Sequence, residues 1–179
     1  HFCIWIWNLR ITYPNEEILL AFIDISSCFR WPCIFPCLAA AFGFVIGPLF
    51  YAANAMVFGS IVSSSSWEPF RRAIEVMSRV YSLRHDLIKK HHRYLGMISF
   101  EPPSDNPGSF RRAKRCPLNP GVLDEQGHIT PSPNYIFVDD CLLATIRSHI
   151  RALLAGCIEA IFVVLGAPDT NLRQCPLAL

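Results

Sequence analysis

Two hydrophobic periods alternate along this chain. The run Ile18 to Ile25 is apolar except for Asp24, which predicts a β-strand with one acid near its end. Asn134 to Leu143 holds an apolar run, the pair Asp139-Asp140, and a second apolar run. Aromatic and branched residues favour extended backbone, so the acid pair between them predicts a tight hairpin turn. Elsewhere the period is helical. Phe70, Ile74, Met77, Tyr81 and Ile88 recur at helical spacing with Arg71, Arg72, Glu75 and Arg79 between them. They predict an amphipathic helix with Ser66 as N-cap and Pro69 in its first turn. Ile146, Ile150, Leu153, Leu154, Cys157, Ile158, Ile161 and Phe162 predict a second helix, stopped by Gly166 and Pro168. Thr170 to Leu179 is expected as a closing strand.

Other stretches break both periods. Phe2 to Trp7 is too short for the core of a signal peptide and lacks a small-residue cleavage site. Trp31 to Trp67 carries no charge and is long enough to cross a bilayer. Its Pro32, Pro36, Pro48, Gly43, Gly47, Gly59, Asn54 and serines 63 to 66 oppose a spanning helix, so a membrane is not expected. Short extended pieces suit it better: a strand beginning within Leu38 to Val45, a turn at Gly47-Pro48, and an extended Leu49 to Val57. Glu101 to Pro133 is proline-rich and holds the basic cluster Arg111, Arg112, Lys114 and Arg115. It predicts a surface insertion, ordinarily a solvated loop, whose cluster could alternatively touch phosphates. His85 and His92 could share a helix face, but a basic solvated helix end is the simpler expectation than a metal site.

Composition adds little. A chain of 179 residues suffices for one domain with a real core, and a net charge of +2 gives no global argument for nucleic acid. The opening at His1 and the stop at Leu179 suggest a piece of a longer polypeptide. Eight cysteines without a Cys-x-x-Cys pair point to reduced, buried thiols and an intracellular setting.

The acids carry the candidate chemistry. Adjacent carboxylates repel, so Asp139-Asp140 is comfortable only in water or beside a cation. A solvated turn is the ordinary explanation for such a pair alone; a third acid, Asp24, on another strand favours a site. Here the residues resemble the palm of a reverse transcriptase, nearest the gypsy type of long-terminal-repeat retrotransposon. Asp24-Ile25-Ser26-Ser27-Cys28-Phe29 is similar to the family's first catalytic strand, an acid followed five positions later by an aromatic. Met56-Val57-Phe58-Gly59-Ser60, with Trp67 beyond, is similar to its second motif, at a familiar distance (58 − 24 = 34). Phe137-Val138-Asp139-Asp140 resembles the aromatic-x-Asp-Asp motif. Leu165-Gly166 and Asn171-Leu172-Arg173-Gln174-Cys175 resemble the segment that closes the palm. Ser63-Ser64 departs from the family's Ala-Pro, and the gap from Phe58 to Asp139 is longer than usual.

The resemblance implies an α+β polymerase palm: an antiparallel sheet with two amphipathic helices packed on one face. It divides the chain into a lead-in that is a remnant of the fingers (1–17), a first palm half (18–95), the proline-rich basic insertion (96–133) and a second palm half (134–179). It implies RNA-directed DNA polymerisation by two-metal nucleotidyl transfer. Asp24, Asp139, Asp140 and the Ile25 carbonyl would hold two Mg²⁺ ions, with Mn²⁺ as a substitute, because magnesium takes hard oxygen ligands. Phe29, Gly59, Phe137 and Arg173 would meet the nucleotide, Phe29 as a steric gate against a 2′-hydroxyl unless it is ordinary core. The implied partners are an RNA or DNA template with primer, deoxynucleoside triphosphates, and the fingers, thumb and ribonuclease H parts of the parent polyprotein. Without those parts the isolated piece is not expected to be active. The alternatives are a catalytically dead nucleic-acid-binding or structural remnant of such an element and, behind both, a membrane protein.

Overall fold

The computed structural model describes residues 2–32, 34, 36–52, 55–56, 61–98, 134–168 and 175–177. A three-stranded antiparallel sheet, β1 (Ile18–Asp24), β5 (Asp140–Ile146) and β4 (Asn134–Phe137) in that spatial order, forms its centre. Between β1 and β4 in the chain lie a small ribbon, β2 (Phe44–Ile46) with β3 (Leu49–Tyr51), and the helices α2 (Ile61–Tyr81), α3 (Asp86–Lys90) and α4 (His92–Leu95). A helix α1 (Phe2–Thr12) precedes the sheet and α5 (Ile150–Leu165) follows it. The architecture is α+β with antiparallel pairing, the class expected from the sequence.

Alternation along the strands divides the sheet into two faces. Ile23, Ile136, Cys141 and Leu143 turn towards α5 and α2 and join the main core. α5 is apolar nearly all round, and every residue from Ala152 to Ile161 is buried, which makes it the central helix. The opposite face takes Leu20, Phe22, Asp24, Asp140, Tyr135 and Phe137. Among the described residues, α1 covers its far end. There Phe2, Trp5, Ile6 and Leu9 of α1 pack on Ile18, Ala144 and Ile146. β4 ends at Asn134, opposite Leu143, so Ala144 lies past its strand partner; its carbonyl instead accepts the Trp5 Nε1–H at 2.6 Å.

The outer edge of β4 is protected by α2. The Ile136 N–H donates to Glu75 Oε1 at 3.1 Å, and Arg71, held to Glu75 at 2.6 Å, reaches the Ile136 carbonyl at 3.4 Å. Asn134 adds a bond from Nδ2 to the Glu75 carbonyl at 3.2 Å. Backbone groups that would otherwise offer a template for a foreign strand are thereby satisfied within the chain.

A polar cluster ties α3 and α4 to α5. Glu159 accepts from Lys90 Nζ and pairs with His91 Nε2, each at 2.7 Å, while the His91 ring meets Phe162 edge-on. Burial would raise the Glu159 pKa, but Lys90 and His91 outweigh it and hold the carboxyl below its ordinary range. A buried acid keeps its charge only with such partners.

Several expectations are corrected. α2 begins at Ile61, ahead of Ser66, and Pro69 lies inside it. Ser63, Trp67, Ile74 and Ser78 all bury on one helical stripe, so packing outweighs the poor propensity of the serine run. Ile88 belongs to the separate α3. Pro36–Phe42 forms a 3₁₀ helix, so the strand foreseen within Leu38 to Val45 starts only at Phe44. β3 stops at Tyr51, well short of Val57, while the turn at Gly47-Pro48 stands, with Gly47 at φ 59. Of the expected closing strand, Leu177 pairs as a single bridge with Ile25, and residues 170–174 lie outside the described residues. So do residues 99–133, nearly all of the foreseen insertion. Cys28, Cys141 and Cys157 are buried free thiols, but Cys3 and Cys37 are free and exposed. Among the described residues no helix is long and apolar enough to cross a membrane.

Candidate active site

The acids meet where β1, β4 and β5 end together. Asp24 is the Cα partner of Asp140 across β1 and β5, and directly opposed residues of an antiparallel pair project to the same face. Phe137 pairs with Asp140, so the hairpin turn is Val138-Asp139, one residue earlier than Asp139-Asp140. Asp140 is therefore the first residue of β5, fixed by the ladder. Asp139 sits in the turn, where its carbonyl accepts the Ile25 N–H at 2.9 Å. Val138 takes φ 59, a left-handed conformation that a β-branched residue adopts only when its surroundings impose it. One such constraint is visible. Trp67 of α2, stacked on Phe70, donates its Nε1–H to the Val138 carbonyl at 2.5 Å.

On the β1 side the chain leaves the sheet through Ser27, also left-handed at φ 53. The Ser26 N–H donates to the Pro176 carbonyl at 2.9 Å, and Trp31 Nε1 donates to the Ser26 carbonyl at 2.9 Å. Both contacts hold the end of β1 in place.

The electrostatics reflect this crowding. Burial, then the charges of Asp139 and Asp140, push the Asp24 pKa above its ordinary value. Nearby Cys28 is pushed up to about 12, by burial first and then by Asp139 and Asp24, so its thiol is unreactive at neutral pH. A raised carboxyl pKa means that the ionised form costs stability. Asp24→Asn is therefore expected to raise the melting temperature at pH 7 in metal-free buffer. The gain should fade as pH falls through the raised value towards 3.8, where wild-type Asp24 is protonated as well. Thermal melts of both proteins across that range check it.

Of the other foreseen residues, Phe137 is 62 % exposed beside Asp140, on the open face with Leu20 (67 %) and Phe22. Ile25 is fully buried, and Phe29 packs in the main core. Gly59, Arg173, Arg111, Arg112, Lys114 and Arg115 lie outside the described residues. Beside Asp24, a largely apolar cavity of about 220 Å³ opens between Phe22, Tyr94, Met97, Ile98 and Leu177. Among the described residues, no three His, Cys, Asp or Glu side chains close into a group able to hold a metal ion. The chemistry of the donors nonetheless suits a hard cation: Asp24 and Asp140 are opposed carboxylates on adjacent strands, on one face of the sheet.

Sequence reasoning passed over His91 and Glu159. Both were detectable, since Leu87, His91 and Leu95 share a helical stripe and Glu159 is a lone acid inside an apolar helix. The protection of β4 by Glu75 and Arg71 had no such signal, because those residues look like a solvated helix face. Comparison of the chain with protein-family models, with curated proteins and with solved structures returns no match.

Proposed function

We propose that this chain is the palm of an RNA-directed DNA polymerase of a retroelement, catalysing nucleotidyl transfer onto a primer 3′ end within a longer polyprotein. The observation that carries this reading is the pairing of Asp24 with Asp140 across adjacent strands, with Asp139 in the turn beside them. The order of elements supports it: acid-bearing strand, long helix, acidic hairpin, second helix, and a return to the first strand through the Ile25–Leu177 bridge. The acids also occupy the face of the sheet opposite α2 and α5, where Leu20, Phe22 and Phe137 are exposed.

Phosphoryl transfer consists mostly of positioning and charge stabilisation. Asp24, Asp140 and Asp139, with the Ile25 carbonyl, would hold the two divalent ions. Those ions supply the charge that stabilises the attacking and leaving oxygens. The chain's own part is to keep the carboxylates on one face at a fixed strand separation, which the β1–β5 ladder does, and to hold the turn through Trp67. Phe137 at the strand end offers an aromatic surface beside the acids. The departure of Ser63-Ser64 from the family's Ala-Pro favours a second reading, a catalytically inert remnant of the same kind of element.

Two measurements separate them. Mg²⁺ should raise the melting temperature of this chain, and the increment should vanish in Asp24→Asn. Metal-dependent primer extension by the parent polyprotein should fall at least about 10³-fold in Asp139→Asn, as expected when transition-state charge stabilisation is lost. Extension that survives Asp139→Asn, or a parent with none, defeats the polymerase reading.

A further inference from the structure

At the end of the sheet away from the acids, a cavity of about 300 Å³ opens between α1, the end of α2 and the start of α5. Its size is at the lower bound for ligand pockets. Trp5, Leu83 and Leu153 give it apolar walls, and the Thr145, His85 and His149 side chains line it as well. Thr145 is only 7 % exposed, and among the described residues its hydroxyl has no hydrogen-bond partner. Lining the cavity, that hydroxyl is placed to bond to whatever occupies it.

The first turn of α5 points to what that occupant is. This helix has 16 residues, no acid in its first turn and no side-chain cap from His149 at its N-cap. Its first N–H groups lack intrahelical acceptors and carry the positive end of the helix dipole. Ala152, in that turn, lines the cavity itself. The nearby cations Arg84 and Arg147 are exposed and already paired, with Asp86 and Glu17. The wall from α2 is fixed, because at Gly156 the two helices touch through backbone and hold Ser82 in place.

We propose that this cavity binds a small carboxylic acid with an apolar body about the size of one aromatic ring. The carboxylate sits at the start of α5 and accepts from the Thr145 hydroxyl and from an imidazole N–H of His149. The ring lies against Trp5, Leu83 and Leu153. Apolar walls around one anion-binding end suit a monoanion with a greasy body better than phosphate, whose hydration they cannot replace. The inference stands apart from the polymerase reading, since it concerns the other end of the sheet.

The test is titration of the full 179-residue chain with sodium benzoate, following tryptophan fluorescence and the imidazole resonances of labelled histidines. Saturable binding that shifts the His149 and His85 signals is expected, with sodium chloride at equal ionic strength giving neither change. Thr145→Val, which keeps the shape and removes the hydroxyl, should weaken binding about tenfold. His149→Ala, at an exposed position that tolerates change, should weaken it as well. Benzyl alcohol, with the same ring and no charge, should bind far more weakly. Equal binding of the alcohol, unchanged affinity in both variants, or no saturation beyond the chloride control would each overturn the proposal.

Discussion

Trp67→Ala is expected to cost about 3–5 kcal/mol, the usual range for deleting a fully buried aromatic side chain. Trp67 is among the largest fully buried side chains described, and its ring stacks on Phe70 at a centroid distance of 5.8 Å. Its second task separates it from ordinary core. The Nε1–H holds the Val138 carbonyl, and thereby a turn that would not choose its own backbone conformation. Trp67→Phe divides the two roles: it keeps most of the packing and loses the bond, so about 1–2 kcal/mol should go. Denaturant unfolding of both variants measures the difference. If the alanine variant loses no more than the phenylalanine one, the packing account of Trp67 is wrong.

The second large effect reverses a rule of thumb. Glycine inside a helix normally costs about 1 kcal/mol relative to alanine, so Gly156→Ala should stabilise α5 on propensity alone. Here a Cβ at Gly156 would lie 2.5 Å from the Ser82 nitrogen and 2.8 Å from the Tyr81 carbonyl carbon. Both are backbone atoms and cannot swing aside. The helices must part, and overpacking of this kind typically costs about 1–3 kcal/mol. A lowered denaturation midpoint for Gly156→Ala is therefore expected, with Gly156→Ser similar or worse. A raised midpoint would mean that the two helices are not in backbone contact at this position.

How much of this was legible in the sequence depends on the range of the interaction concerned. The strand ending in Asp24, the hairpin around Asp139 and the helix stopped by Gly166 follow local periodicity and appear in the structure. The meeting of Asp24 with Asp140 is a long-range pairing, which the sequence suggests only through a resemblance of short motifs. Three features defeated local reasoning. Ser63 to Ser66 and Pro69 look like a helix boundary, yet Trp67 draws them into α2 because its burial outweighs their propensities. The stretch Phe2 to Trp7 has no amphipathic period, and becomes helix by packing on the end of the sheet away from the acids. Arg71 and Glu75 look like solvent-facing charges until the edge of β4 is placed beside them.

The position of the hairpin bend has one more consequence. Although Asp139 and Asp140 are sequence neighbours, they are mechanically unequal. Asp140 is clamped on both flanks by strand partners and moves only if the whole sheet moves. Asp139 rides on a two-residue loop whose shape depends on Val138, so changing that one side chain re-aims one acid and leaves its neighbour where it was.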